Sequence, residues 1–148
     1  MRQIRKIEIG DKSTVLSLEH KIFKDPWSET LIKEQLTNES SINLYYLKDN
    51  MVCGYVLSHN YLDFMEIQRI GVLREFRGEN IGTKLLEYIE SLCCELGIKK
   101  ISLEVRESNE NAIKTYNNFG FKVDSVRKKY YKKCPEDAIL MSKKIILL

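Results

Sequence analysis

The sequence is poor in the features that mark specialised chain classes. It has two prolines and seven glycines in 148 residues, and no Ser/Gly/Pro-rich tract, which excludes a fibrous, low-complexity or linker-rich chain. It has no continuous apolar run. The opening "MRQIRKIEIGDKS" is broken by charges, so neither a signal peptide nor a membrane span can be drawn, and a cytoplasmic protein without membrane partners is expected. Four cysteines, Cys53, Cys93, Cys94 and Cys134, show no C-x-x-C spacing, which argues for reduced thiols and against a structural metal. His20 and His59 stand far apart with no ligand partner in view. Both the Walker and the dinucleotide glycine loops are missing. Neither sign of charge dominates: 24 basic against 21 acidic residues leave +3, enough for weak attraction to an acidic partner and nothing more specific.

What is present is a chain of one-domain size, residues 1–148, with 43% hydrophobic residues, long enough to bury a substantial core. "IRKIEI" (4–9) alternates as a first strand, and Asp11 offers an N-cap to a helix through "STVLSLEHKIF", whose apolar side is Val15, Leu16, Leu18, Ile22 and Phe23. "KDPWSETLIKEQL" restarts a helix at Pro26 and Ser28, with Leu31, Ile32 and Leu36 as its buried stripe. "INLYYL" and "VCGYVLSH" flank "KDNM", whose Asp49-Asn50 pair suits a tight reversal, so residues 42 to 60 form a hairpin. "FMEIQRIGVL" (64–73) is a fourth strand.

From Ile81 the period becomes helical, through Leu85, Ile89, Leu92 and Leu96 to a stop at Gly97. "KKISLEVRESN" is the fifth strand, and "ENAIKTYNNFGF" a helix with Ala112, Ile113, Tyr116 and Phe119 on one side and Gly120 at its end. "FKVDSVRKKYY" and "DAILMSKKIIL" complete the order β-α-α-β-β-β-α-β-α-β-β. The fourth strand, its helix and the fifth strand make a parallel crossover, while the hairpins at either end are antiparallel. The fold class is therefore α/β, a mixed sheet with helices on both faces.

"REFRGENIGTKLLE" leaves a strand and opens a helix, where free backbone N–H groups and the positive helix end favour an anion. Gly78 and Gly82 permit close backbone approach, and Asn80 tolerates left-handed dihedrals. On composition alone the segment is also compatible with an ordinary turn. In the fifth strand, alternation turns Glu104 away from Leu103 and Val105; it does not say whether that side is solvent or cleft.

"RGENIG" (77–82) resembles the [RQ]-x-x-G-x-[GA] acyl-CoA pyrophosphate loop of the GNAT superfamily of N-acetyltransferases, with Asn80 in place of the first motif glycine. "PWSE" (26–29), "LEVRESNENAIKTYNNFGF" (103–121), "RKKYY" (127–131) and "EDAILM" (136–141) are similar, in order and spacing, to the RimI-type ribosomal-protein-alanine branch. The resemblance covers nearly the whole chain. It implies the GNAT acyl-CoA N-acyltransferase fold, acetyl-CoA as co-substrate, no metal, and the N-terminal amine of a protein, a ribosomal protein, as acceptor. It further implies that Ile70, Gly71 and Val72 hold the pantetheine and acetyl portion. Arg77, Gly78, Glu79, Asn80, Ile81, Gly82 and Thr83 would wrap the pyrophosphate, and Asn109 would meet the cofactor. Glu104 would be the proton acceptor and Tyr116 the proton donor, with Trp27, Tyr130 and Tyr131 bordering the acceptor.

The residues alone leave other roles open. Glu104 also suits the exposed face of a half-buried strand, Tyr116 a core aromatic, and Trp27 a hydrophobic anchor. A GNAT enzyme acting on a small amine or a lysine side chain, and a non-catalytic acyl-CoA-binding module, are the rival functions. "RKKYYKK" (127–133) is a solvated strand end or, as a weaker idea, an RNA-docking surface; direct nucleic-acid binding is not expected.

Overall fold

The computed structural model describes residues 3–130 and 135–146; Tyr131 and Cys134 lie outside the described residues. The elements are β1 (Ile4–Lys6), α1 (Lys12–Ile22), α2 (Glu29–Thr37), β2 (Ser41–Lys48), β3 (Met51–Asn60), β4 (Met65–Val72), α3 (Ile81–Leu96), β5 (Lys100–Arg106), α4 (Glu110–Phe119), β6 (Lys122–Arg127) and β7 (Ala138–Lys144). Short 3-10 turns precede α1 and follow β4. The order is the one read from the sequence. The strands form one seven-stranded sheet in the order β1-β2-β3-β4-β5-β7-β6, parallel only between β4 and β5. Among the described residues no helix is long and apolar enough to cross a membrane.

Local chemistry accounts for the reversals. Asp49 and Asn50 both have positive φ, 51° and 64°, the pattern of a two-residue turn that matches strand twist. Gly97 and Gly120 close α3 and α4 in the left-handed region. Ser28 caps α2 by accepting from the Leu31 N–H at 3.2 Å, as the sequence predicts, while Pro26 lies two residues before that cap, outside the helix.

Two expectations at the N-terminus fail. The first strand stops at Lys6, because Ile9–Asp11 coil into a 3-10 turn. Asp11 does not cap α1 with its side chain; its carboxylate instead accepts from the Glu8 N–H at 2.8 Å, holding that turn closed.

The sheet is buried on both faces. Ile7, Val15, Leu18, Ile32, Tyr45, Tyr55 and Leu57 form a core under α1 and α2. Leu44, Tyr46, Val56, Ile67, Leu85, Ile89, Leu103, Val105 and Tyr116 belong to a larger core under α3 and α4. From Leu44 to Tyr46 and from Tyr55 to Leu57, successive residues of β2 and β3 thus fall into different cores, as the pleat requires. Each large side chain fully buried this way contributes about 2 kcal/mol. A β-carbon on Gly71 would come within 3.0 Å of the Phe23 ring; a glycine there lets the end of α1 lie on β4.

Candidate active site

β4 and β5 are partners only at Met65/Ile101, Glu66/Ser102 and Ile67/Leu103. Beyond that point β4 continues to Val72 with β3 alone, and β5 continues to Arg106 with β7 alone. The two strands therefore splay, and among the described residues the facing edge of β4 from Gln68 onward has no partner strand, leaving main-chain groups available to a ligand. A register shift between Leu57 and Ser58 on the other side of β4 sharpens its bend there. The opening is a cleft of about 300 Å³, lined by Ile67 to Ile70 of β4, Leu103 to Arg106 of β5, Asn109 and Tyr116 of α4, and Phe23, Asp25 and Trp27 of the α1–α2 connection.

At the far end of β4 lies the anion-type loop. Gly78 has φ 85° and Asn80 φ 61°, ψ 25°. Asparagine thus occupies the left-handed position that the sequence assigned to it, and α3 begins at once, its first bond running from the Lys84 N–H to the Asn80 carbonyl at 2.9 Å. The Asn80 side chain makes no capping bond, so the N–H groups of Ile81, Gly82 and Thr83 open the helix without an intrahelical acceptor. Arg77 donates through Nε to the Val72 carbonyl at 3.3 Å. Glu79, an acid in a loop suited to anions, is neutralised by Lys48 at 2.6 Å, reaching over from β2.

Glu104 and Tyr116 enter the cleft from opposite faces of the sheet. Leu103 and Val105 belong to the core under α3 and α4, so the pleat turns Glu104 toward the α1–α2 side. Its side chain is 32% exposed and lies 4.0 Å from Nη1 of Arg127. Tyr116 comes from α4, 7% exposed, its ring held edge-on by Phe121 at 5.8 Å. Burial alone raises its phenol above the ordinary value, so the group carries its proton throughout the neutral range. Asn109 accepts from the Ala112 N–H at 3.3 Å and starts α4.

The GNAT acetyltransferase family matches residues 12–121. The chain belongs to that family. It is 30% identical over 145 residues to the ribosomal protein bS18-alanine N-acetyltransferase of Haemophilus influenzae, covering 96% of this chain and 98% of that one. It is 31% identical to N-alpha-acetyltransferase 50 of Danio rerio, covering 95% and 89%. Its fold is similar to the crystal structure of the ribosomal-protein-S18-alanine N-acetyltransferase from Escherichia coli, with TM-score 0.92, 27% identity, and 100% and 96% coverage.

Within this GNAT scaffold the α1–α2 wall is held by residues that the sequence reading passed over. Glu19 is fully buried on the same side of α1 as Val15 and Leu18. Its carboxylate accepts from Arg69 Nε at 3.1 Å and Nη2 at 3.0 Å, from the Trp27 backbone N–H at 2.8 Å, and from the Tyr55 hydroxyl. Four donors satisfy the buried charge. Arg69 stacks on the Phe23 ring, 3.6 Å from its centroid. Arg106 pairs with Asp25 and lies 3.9 Å from Glu136, which in turn accepts from the Ser108 hydroxyl at 2.8 Å. Asp137 accepts from the Lys129 N–H at 3.0 Å. The "ED" of "EDAILM" therefore braces the turns after β5 and β6. A charge on an apolar helix stripe (Glu19) and one inside a core strand (Arg69) were the available signals.

The other expected site residues fall into two groups. Ile70, Gly71 and Val72 occupy the unpartnered stretch of β4, and Arg77 through Thr83 form the loop and the first turn of α3. Trp27 lines the cleft. Tyr130 is not among the residues that line it: it is 48% exposed, with the Arg127 guanidinium 5.3 Å from its ring centroid.

Proposed function

We propose that the chain transfers an acetyl group from acetyl-CoA to the N-terminal α-amine of a protein, an alanine at the start of a small-subunit ribosomal protein. One observation carries this reading: a cleft through the sheet, open at the splay, that receives a carboxylate from one face and a protonated phenol from the other. The bS18-alanine and N-alpha names of the similar proteins support the choice of acceptor.

Acetyl-CoA supplies an activated acetyl thioester. The residues present suit it: left-handed Gly78 and Asn80 ahead of the α3 N-terminus offer main-chain N–H groups to phosphates, and Ile70 to Val72 offer an unpartnered edge to the amide-bearing arm. An α-amine has an unperturbed pKa of about 8 and is mostly protonated at neutral pH, so it must lose a proton before it can attack. Glu104 takes that proton, directly or through water. N–H groups on the free edge of β4 polarise the thioester carbonyl and stabilise the oxygen as it becomes negative. As the C–S bond breaks, the Tyr116 hydroxyl donates to the departing sulfur. Glu104 lies on the α1–α2 face and Tyr116 on the α3–α4 face, so the amine and the thiol occupy opposite sides of the sheet. Phe23, Asp25 and Trp27 then border the acceptor.

The test is a panel of peptides with free α-amines, blocked α-amines or free lysines, incubated with acetyl-CoA, the modified atom being located by mass spectrometry. Acetylation at the α-amine of alanine-led peptides is the expected result. Modification of lysine alone, or of free small amines faster than peptides, overturns the acceptor assignment.

A further inference from the structure

Two strands that part have nothing in their own ladder to fix how far they part. Here one residue of the α1–α2 connection touches both. The Asp25 carbonyl accepts from Arg69 Nη2 of β4 at 2.7 Å, and the Asp25 carboxylate pairs with Nη2 of Arg106 on β5. Arg69 is not free to shift, because its Nε and Nη2 are both engaged by the buried Glu19, which also holds the Trp27 N–H. On the other arm Arg106 is backed by Glu136. Glu104 lies two residues before Arg106 on the same side of β5, so the position of Arg106 relative to β4 also sets that of Glu104.

We infer that Asp25 is a crossbar over the splay, keyed in place by the Glu19–Arg69 pair, that sets the width of the acceptor mouth and presents the amine to Glu104. This rests on the N-terminal acetyltransferase reading for the identity of the acceptor. Asp25 is a positioning residue, acting through the placement of Arg106 and Glu104. The Asp25–Arg106 pair is about one-third exposed on each side, so it adds little to global stability; its effect is on geometry. The anion-type loop at 77–83 is not part of this network, so loosening the crossbar weakens use of the acceptor and spares acetyl-CoA.

Trp27, the single tryptophan of the chain, sits in the braced connection and reports on it. The experiment compares wild type with Asp25→Ala, Arg106→Gln, the double variant and Arg106→Lys. It measures KM for an alanine-led peptide, KM for acetyl-CoA, kcat, and acrylamide quenching of Trp27 in the protein alone. Each single change is expected to raise the peptide KM by about threefold or more, with a smaller effect on kcat and none on the acetyl-CoA KM. Quenching should increase, the double variant should be no worse than either single one, and Arg106→Lys should recover part of the loss. Equal rises in both KM values, additive effects in the double variant, or unchanged quenching overturn the crossbar. If wild type acetylates no α-amine, the acceptor reading fails instead, and the quenching series still decides whether Asp25 braces the connection.

Discussion

The two ends of the cleft are made of different material. The loop end is main chain: left-handed dihedrals at Gly78 and Asn80, the open start of α3, and an unpartnered edge of β4. The end at the α1–α2 connection, the acceptor end of the proposed reaction, is side chains from separate elements, Glu19 of α1, Asp25 of the connection, Arg69 of β4 and Arg106 of β5, joined by charge. A main-chain site tolerates many side-chain changes as long as the dihedrals stay accessible. A side-chain site fails when one partner is lost, because a buried charge is then left unpaired. The same GNAT cleft can thus keep one end constant while the other is rebuilt for a different acceptor.

Four changes probe this division, from the largest effect to the smallest. Glu104→Gln should lower kcat by about a thousandfold, roughly 4 kcal/mol, and leave acetyl-CoA binding intact, as read by thiol release and by titration of the cofactor. Retained activity would remove Glu104 as the base. Glu19→Ala should cost about 3 kcal/mol in urea unfolding, since it strands the Arg69 guanidinium against Phe23; a loss under 1 kcal/mol would mean that water replaces the carboxylate.

Asn80→Ala should cost about 1 kcal/mol and raise the acetyl-CoA KM without touching the peptide KM, while Asn80→Gly should restore or improve on wild type. An effect on the peptide instead would blur the two ends. The smallest effect is at alkaline pH. Tyr45, Tyr55 and Tyr116 are all raised above their ordinary value of 10.0, first by burial. Their protonated forms favour the fold, a contribution fully present below pH 10 and lost progressively above it. Unfolding free energy should therefore stay flat in these groups to about pH 10 and then fall, less steeply in Tyr116→Phe.

How much was legible varied with the range of the interaction. The hairpin at Asp49-Asn50, the left-handed Asn80, the Ser28 cap and the period of α3 each depend on a few neighbouring residues, and all were readable. Even locally there were misreadings: Asp11 faces two competing acceptor tasks, and Glu8's N–H takes it from α1. Of the α1–α2 wall only Trp27 was legible; the charged residues that hold it were not. Glu19 on an apolar helix stripe and Arg69 inside a core strand have their partners far away in sequence. Each is a poor core residue alone, and only the pair makes both placements affordable.

By itself the sequence determined the order of elements, the turns, the anion-type loop and the resemblance to the GNAT family, because dihedral preference and hydrophobic period act over a few residues. The tertiary structure decided that β4 and β5 part after Ile67, that Glu104 and Tyr116 reach one cleft from opposite faces, and which residues brace it. Those facts depend on partners 50 residues apart for Arg69 and Glu19 and 81 apart for Arg106 and Asp25. No local preference encodes a contact at that range; it exists only once both cores have closed on the sheet.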